Sequence, residues 1–511
     1  MKRSRLLSSI KKIVILCSTA IGLITLTAKA QVKKVTLAID FSRTYQTIEN
    51  FGASDAWSGQ FVGNWPEVKK NEIADLLFSN GVKKDGSPKG IGLSLWRFNI
   101  GAGSTGQGTV SGIKDEWKRT ESFLNIDGTY NLQNQKGQIW FLKAAKQRGV
   151  KQFLGFSNSP SINYTINGKA YSSDGNVNIA KAQYDNFANY LSNVVKGVRK
   201  ITNIDLNYIS PVNEPQWDWK DGNQEGCPYT NEEISGLVKA IDRSFTDNKI
   251  QSKIIIGEAG KINYLYSKAD KINKANQAAA FFRPGSLNYI GDLSRVARTI
   301  TAHSYFTTSP MSAAIKARKA LADTISQFQN LNFWQSEYCI LGDNEGEIKG
   351  NGRDLGIDAA LYVASVIHHD LTIANATAWQ WWLAISPYNY KDGLIYIDKN
   401  EKDGNYYISK MLWALGNYSR FIKPGAIRVA IKPALSALPD GLMVSAYKNK
   451  KQLTMVIINA GKEDYEIDAG GISINATYET SAESELKLAK PKKSPILVKA
   501  RSILTVTGNS K

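Results

Sequence analysis

From about residue 46 to residue 390, short runs of β-branched and aromatic residues alternate with longer stretches in which apolar positions recur every three or four residues. The β runs are 47–53, 92–100, 151–157, 205–211, 253–258, 299–305, 332–338 and 376–382. Between them, Tyr184, Phe187, Ala188, Leu191, Val194, Val195 and Val198 fall on one face of a helix. Thr230 and Glu233 make a capping box ahead of Ile234, Leu237, Val238, Ile241 and Phe245. A helix over 138–148 stops at Gly149, a residue suited to a left-handed C-terminal cap. Strands that alternate with helices pair in parallel, and eight of them is the count of a (β/α)8 TIM barrel. The rival, a doubly wound open sheet, would place a phosphate loop after its first strand, and none is there.

After about Gly416 the period changes. Segments 427–432, 441–448, 452–459, 465–467, 472–480 and 496–506 read as strands separated by Gly, Asp, Asn and Lys turns. They predict a β-sandwich of two packed antiparallel sheets. The early run 35–41 has no helix after it and is expected to join that sandwich. The predicted organisation is an N-terminal strand region 31–45, a catalytic α/β barrel 46–416 and a C-terminal β-sandwich 417–511.

Residues 1–30 follow another logic. Lys2, Arg3, Arg5, Lys11 and Lys12 precede an uncharged apolar run, 13–27, and Ala28-Lys29-Ala30 is a small-x-small cleavage site. That is a signal peptide with the mature chain starting at Gln31, and the run is short for the ~20 residues of a membrane span. Cys17 is no lipoprotein site, since the bulky Leu16 precedes it. The expected location is secreted or periplasmic, with no membrane association after cleavage. Cleavage removes six basic residues and no acidic ones, taking the net charge from +19 to +13. The lysines are scattered, without the basic block and interleaved aromatics of a nucleic-acid surface. A monomer is expected.

Cys227 and Cys339, the two cysteines beyond the leader, cannot make a disulfide framework. His303, His368 and His369 lack metal-ligand spacing, so neither a metal nor a cofactor is expected. Gly101-Ala102-Gly103-Ser104-Thr105-Gly106 fits a dinucleotide fingerprint, but no apolar-periodic helix follows, and it reads as a flexible rim loop.

Catalytic residues of a barrel project from the C-terminal ends of its strands. The fourth run ends Asn213-Glu214-Pro215, and the seventh ends Gln335-Ser336-Glu337-Tyr338. Two glutamates across a barrel mouth suit glycoside cleavage with retention, in which one carboxyl protonates the leaving oxygen and the other attacks the anomeric carbon.

These residues match the clan of retaining barrel glycosidases, and the chain resembles glycoside hydrolase family 30 in particular. Phe51-Gly52-Ala53-Ser54, Ser210-Pro211-Val212-Asn213-Glu214-Pro215-Gln216-Trp217 and Ser419-Arg420-Phe421-Ile422-Lys423-Pro424-Gly425 carry the resemblance. Gln224-Glu225-Gly226-Cys227-Pro228-Tyr229 is similar to the endo-β-1,6-galactanase-like branch. The resemblance implies a barrel fused to a β-sandwich built from both chain ends. It implies Glu214 as acid/base, Glu337 as nucleophile and Asn213 as the partner of the sugar 2-OH.

Supporting roles follow from position. Arg97 is expected to orient the nucleophile, because a buried guanidinium needs a carboxylate. His303 and Tyr305 end the sixth run on one face, with Tyr305 as hydrogen-bond donor to Glu337. Glu258, ending the fifth run, is the rival catalyst and is read as a substrate contact. Asp55 and Asp218 are rim candidates. Trp217 and Trp219, with Trp379 and Trp381 on one face of the eighth run, are read as sugar platforms, extended by Trp57 and Tyr388. Trp382 lies on the opposite face of that run.

The expected activity is endo-hydrolysis of β-1,6-galactan side chains of arabinogalactan, a polysaccharide or oligosaccharide substrate. The alternatives on this scaffold are β-1,6-glucanase, glucosylceramidase and xylanase. The alternative of another class is a non-catalytic carbohydrate-binding protein.

Overall fold

The structure, a computed structural model, describes residues 32–433, 437–470, 472–489 and 494–510. The signal-peptide reading and Cys17 lie outside the described residues. No helix among the described residues is long and apolar enough to cross a membrane.

Eight parallel strands form a closed barrel: Asn50–Ser54, Leu95–Asn99, Gln152–Phe156, Tyr208–Ser210, Lys253–Ala259, Val296–His303, Asn332–Tyr338 and Ala378–Ser386. They follow one another in chain order around the barrel, and the eighth closes it by pairing with both the seventh and the first. Each predicted run overlaps one of them. Several strands are buried at every residue, because one face fills the barrel and the other lies under helices. Helix Tyr184–Thr202 buries all seven apolar residues of its predicted face. The capping box opens helix Asn231–Asp247: the Thr230 N–H donates to Glu233 Oε2 at 2.7 Å, and the Glu233 N–H donates to Thr230 Oγ1 at 3.3 Å. Helix Lys136–Gln147 ends before Gly149, whose φ of 94° is left-handed as expected. Two short strands, Gly393–Ile397 and Tyr406–Ile408, extend the sheet beyond the eighth barrel strand and were not evident in the periodicity.

The remaining strands make a second, nine-stranded sheet. Lys33–Thr47 joins it, pairing antiparallel with Ile427–Pro433 and parallel with Tyr465–Gly470. The attached β-domain built from both chain ends is as expected, but its two packed sheets are one, since hydrogen bonds run through all nine strands and the sheet curls over its own core. Strand Gln452–Asn459 shows why one sheet serves two interiors. Met455 and Ile457 enter the core of the curled sheet, while Val456 and Ile458 enter the core shared with the barrel. The period-two alternation of a strand sorts them. The predicted single run 496–506 is broken into Ile496–Val498 and Ser502–Ser510, which pair with different neighbours.

Candidate active site

Glu214 follows the shortest barrel strand, Tyr208–Ser210, and Glu258 lies near the end of the next. Both have left-handed backbone, with φ of 44° and 41°, which costs a non-glycine residue about 1–2 kcal/mol. The Glu214 N–H donates to the Glu258 carbonyl at 2.8 Å, locking the two turns together. Gly257 between them and the sixth strand has φ of 112°, and a Cβ there would stand 2.4 Å from the Thr301 carbonyl oxygen. The strand bulges at this point, with its register broken between Ile256 and Ala259.

A single polar network joins the strand ends. Protonated His303 donates from Nδ1 to Glu214 Oε1 and from Nε2 to Glu258 Oε2, each at 2.9 Å. Arg97 is fully buried; it pairs with Glu337 and donates to Asn213 Oδ1 at 3.1 Å and Glu258 Oε2 at 3.3 Å. The Tyr305 hydroxyl donates to Glu337 Oε1 at 3.2 Å, and Ser336 Oγ donates to Glu258 Oε2 at 2.9 Å. The side-chain ends of Glu214, His303 and Glu337 lie within 4.8 Å of one another.

Burial alone would push His303 down, but the Glu337 charge and the bonds to Glu214 and Glu258 outweigh it and hold the imidazolium up to about 10. With both ring nitrogens protonated, His303 has no lone pair for a metal, although the spacing of the cluster would admit one. Burial also works to raise Glu258, yet Arg97 and His303 keep it below the ordinary carboxylate range. Glu337 is raised: burial and Glu214 push it up against the pull of His303 and Arg97.

A cavity of about 370 Å³ opens above this network, lined by Asn213, Glu214, Glu337, Trp217, Trp219 and Trp382, with Phe306 and Leu341 at its edge. The Trp219 indole N–H donates to the Glu214 carbonyl at 3.0 Å, so its ring is anchored to the turn that carries Glu214. Asn213, Glu214, Glu337, Tyr305, Trp217 and Trp219 therefore meet in one place, and Arg97 and His303 lie directly beneath.

Five expectations are corrected. Trp379 and Trp381 do share a face, but it is the face turned to the surrounding helix layer. Both are fully buried, their indole N–H groups donating to Asp370 Oδ2 at 2.9 Å and the Asp392 carbonyl at 2.7 Å. Trp382, on the other face, lines the cavity instead. Glu258 is no substrate contact: it is 0 % exposed and neutralises Arg97 and His303 from below. Asp55 is no rim residue, for it is buried under the first strand end, accepts from the Asn99 N–H at 2.8 Å and is pushed up to about 7 by burial. Trp57 stands one layer behind the wall, edge-on to Trp382 at 5.4 Å and to Tyr388 at 5.8 Å. Asp218 is exposed beside Lys220. The glycine-rich segment is no loose flap either, because the Ala102 and Ser104 N–H groups donate to the buried Glu225 carboxylate. Cys227 and Cys339 are buried and unpaired.

Three contributors went unread. Ser336 and Leu341 carry no pattern that marks them. Phe306 follows Tyr305, outside the strand whose period could have placed it.

The sequence profile of O-glycosyl hydrolase family 30 matches residues 34–396. An endo-β-1,6-galactanase of Hypocrea rufa is 22% identical over 388 residues, 73% of this chain and 71% of the relative. Among solved structures, a conserved exported protein from Bacteroides fragilis superimposes with a TM-score of 0.86 at 34% identity, covering 92% of this chain and all of the other. The catalytic domain of a family 30 xylanase from Talaromyces cellulolyticus has a TM-score of 0.67 at 20% identity, over 93% of this chain and all of that one.

Proposed function

Because the chain belongs to O-glycosyl hydrolase family 30, and is thus a glycoside hydrolase, we propose that it is a retaining endo-β-1,6-galactanase working by double displacement on arabinogalactan side chains. The observation that carries the mechanism is the spacing of Glu214 and Glu337, which brings their oxygens within 4.8 Å. Retaining pairs stand ~5–5.5 Å apart, whereas inverting pairs leave room for a water at ~6.5–9.5 Å.

Glu337 attacks the anomeric carbon as Glu214 gives its proton to the departing oxygen. Arg97 and Tyr305 aim the two Glu337 oxygens, and Asn213 beside Glu214 is left to meet the sugar 2-OH. With Glu337 esterified, Glu214 takes a proton from a water whose oxygen attacks the anomeric carbon, which breaks the ester bond to Glu337 and releases the sugar with its original configuration. Trp382 offers an apolar plane to the ring that carries the anomeric carbon.

The galactan reading is supported by the likeness of 224–229 to that branch and by the cleft position of Gln224. β-1,6-Glucan, glucosylceramide and xylan are the competing substrates. A binding-only role is disfavoured by two carboxyls at reaction distance. We further propose residues 46–416 as the catalytic unit of a monomer that acts outside the cytoplasm, given the leader-like pattern of residues 1–30. The test is proton NMR of the products from defined β-1,6-galactan, β-1,6-glucan and xylan oligosaccharides in the first minutes. A β anomer from galactan is expected. An α anomer would overturn the mechanism, and cleavage of only another glycan would overturn the substrate.

A further inference from the structure

Phe306 breaks two habits of this chain at once. It is 72 % exposed, and its φ of 59° is left-handed, a conformation that large side chains avoid. An exposed aromatic on strained backbone calls for a compensating role. Its ring meets Trp217 edge-on, with centroids 6.0 Å apart. The Lys261 ammonium lies 5.1 Å from the Phe306 centroid, 5.4 Å from that of Trp217 and 5.6 Å from that of Tyr264. One cation thus ties together the segments that follow the fourth, fifth and sixth barrel strands. Phe306 and Trp217 line the same cavity as Glu214 and Glu337.

The geometry tells the two walls of that cavity apart. The Trp217 N–H donates to the Glu214 carbonyl at 3.2 Å, so the Trp217–Phe306 wall belongs to the residue that protonates the leaving oxygen. Trp382 lies opposite, 5.7 Å from the Arg97 guanidinium that holds Glu337. In a double displacement the leaving sugar departs on the acid's side.

We propose that Phe306, Trp217 and Lys261 form a subsite for the leaving-group sugar, a neutral β-linked pyranose on the reducing side of the cleaved bond. The apolar C–H face of that ring packs on Phe306, and the Lys261 ammonium, held by the three rings, donates to its oxygens. This assignment rests on the roles proposed above for Glu214 and Glu337. It makes the enzyme dependent on a sugar leaving group and receptive to sugar acceptors at the same place.

The test compares Phe306→Ala with wild type on two substrates of one glycone: a defined oligosaccharide of whichever β-glycan the wild type cleaves, and the matching glycosyl fluoride, which has no leaving sugar. On the oligosaccharide kcat/KM is expected to fall about tenfold, the scale of a lost aromatic contact. On the fluoride it stays near wild type, and Phe306→Trp restores the oligosaccharide rate. Equal losses on both substrates, or no loss on the oligosaccharide, would overturn the subsite. A wrong substrate reading changes only which glycan is used, and the anomer of the first product tests the mechanism separately from this selective loss.

Discussion

The His303 ring donates to Glu214 Oε1 from Nδ1 at 2.9 Å while its other nitrogen donates to Glu258 at the same distance. The glutamate that competes with Glu214 for the acid's role is therefore a second counter-ion of the same imidazolium, on its far side from Glu214. Arg97 and His303 bring two positive charges to three buried carboxyls, Glu214, Glu258 and Glu337. A dry site approaches neutrality when those carboxyls hold one proton between them. Glu258 is held low by both cations, while burial raises Glu337 beside the cavity.

Glu214→Ala should be slow on substrates with poor leaving groups and far less impaired on activated aryl glycosides, since an activated phenol departs with little protonation. Deglycosylation would still lack its base, giving a burst and then a slow steady state. Azide should speed that steady state and yield a β-glycosyl azide. Glu258→Ala should instead leave Arg97 and His303 short of a buried counter-charge and lower the thermal midpoint. A burst rescued by azide in Glu258→Ala, and not in Glu214→Ala, would move the acid/base to the fifth strand.

Glu337→Gln keeps the volume of the side chain and removes the proposed nucleophile. Turnover should fall by about four orders of magnitude or more, with an unchanged circular dichroism spectrum. External azide should restore activity only to Glu337→Gly or Glu337→Ala, where space has been opened. Near wild-type hydrolysis by the Gln variant would refute the assignment.

The two faces of the eighth strand should answer mutation differently. Trp379→Ala empties a fully buried site and removes the indole N–H that donates to Asp370 Oδ2, so urea unfolding should show a loss of about 3–5 kcal/mol. Trp382→Ala, at the cavity wall, should chiefly lower kcat/KM. Finding the larger activity loss with an intact fold in Trp379→Ala would reverse the faces.

His303 makes stability depend on pH. Its imidazolium is held up to about 10 in the folded chain against an ordinary value of 6.5, so the folded state binds the proton more tightly. That contribution is complete below about pH 6.5 and is lost as pH rises towards 10, by at most about 1.4 kcal/mol per pH unit. The stability gap between wild type and His303→Gln should accordingly be wider at pH 6 than at pH 9. Denaturant unfolding at both values measures it, and a gap that does not change would contradict the protonated bridge.

The eight barrel strands, the capping box at Thr230 and the two glutamates were legible in the sequence because each depends on local order. Period-two and period-3.6 patterns report which residues share a face, and a carboxylate at a strand end reports its height in the barrel. Which face looks inward is another matter. Trp379 and Trp381 alternate with Gln380 and Trp382 in the same way whether the odd or the even positions point into the barrel. Only closure of the eighth strand onto the first and seventh chose Trp382. Depth was equally hidden. Glu214 and Glu258 both stand at the C-terminal ends of neighbouring strands, and the bulge at Gly257 turns Glu258 under the cavity floor while Glu214 faces the cavity. The His303 bridge needs three strands side by side, and the Phe306 platform needs three loops folded onto one lysine. Contacts of that kind join residues some 45 to 89 positions apart, and no periodicity along the chain carries them.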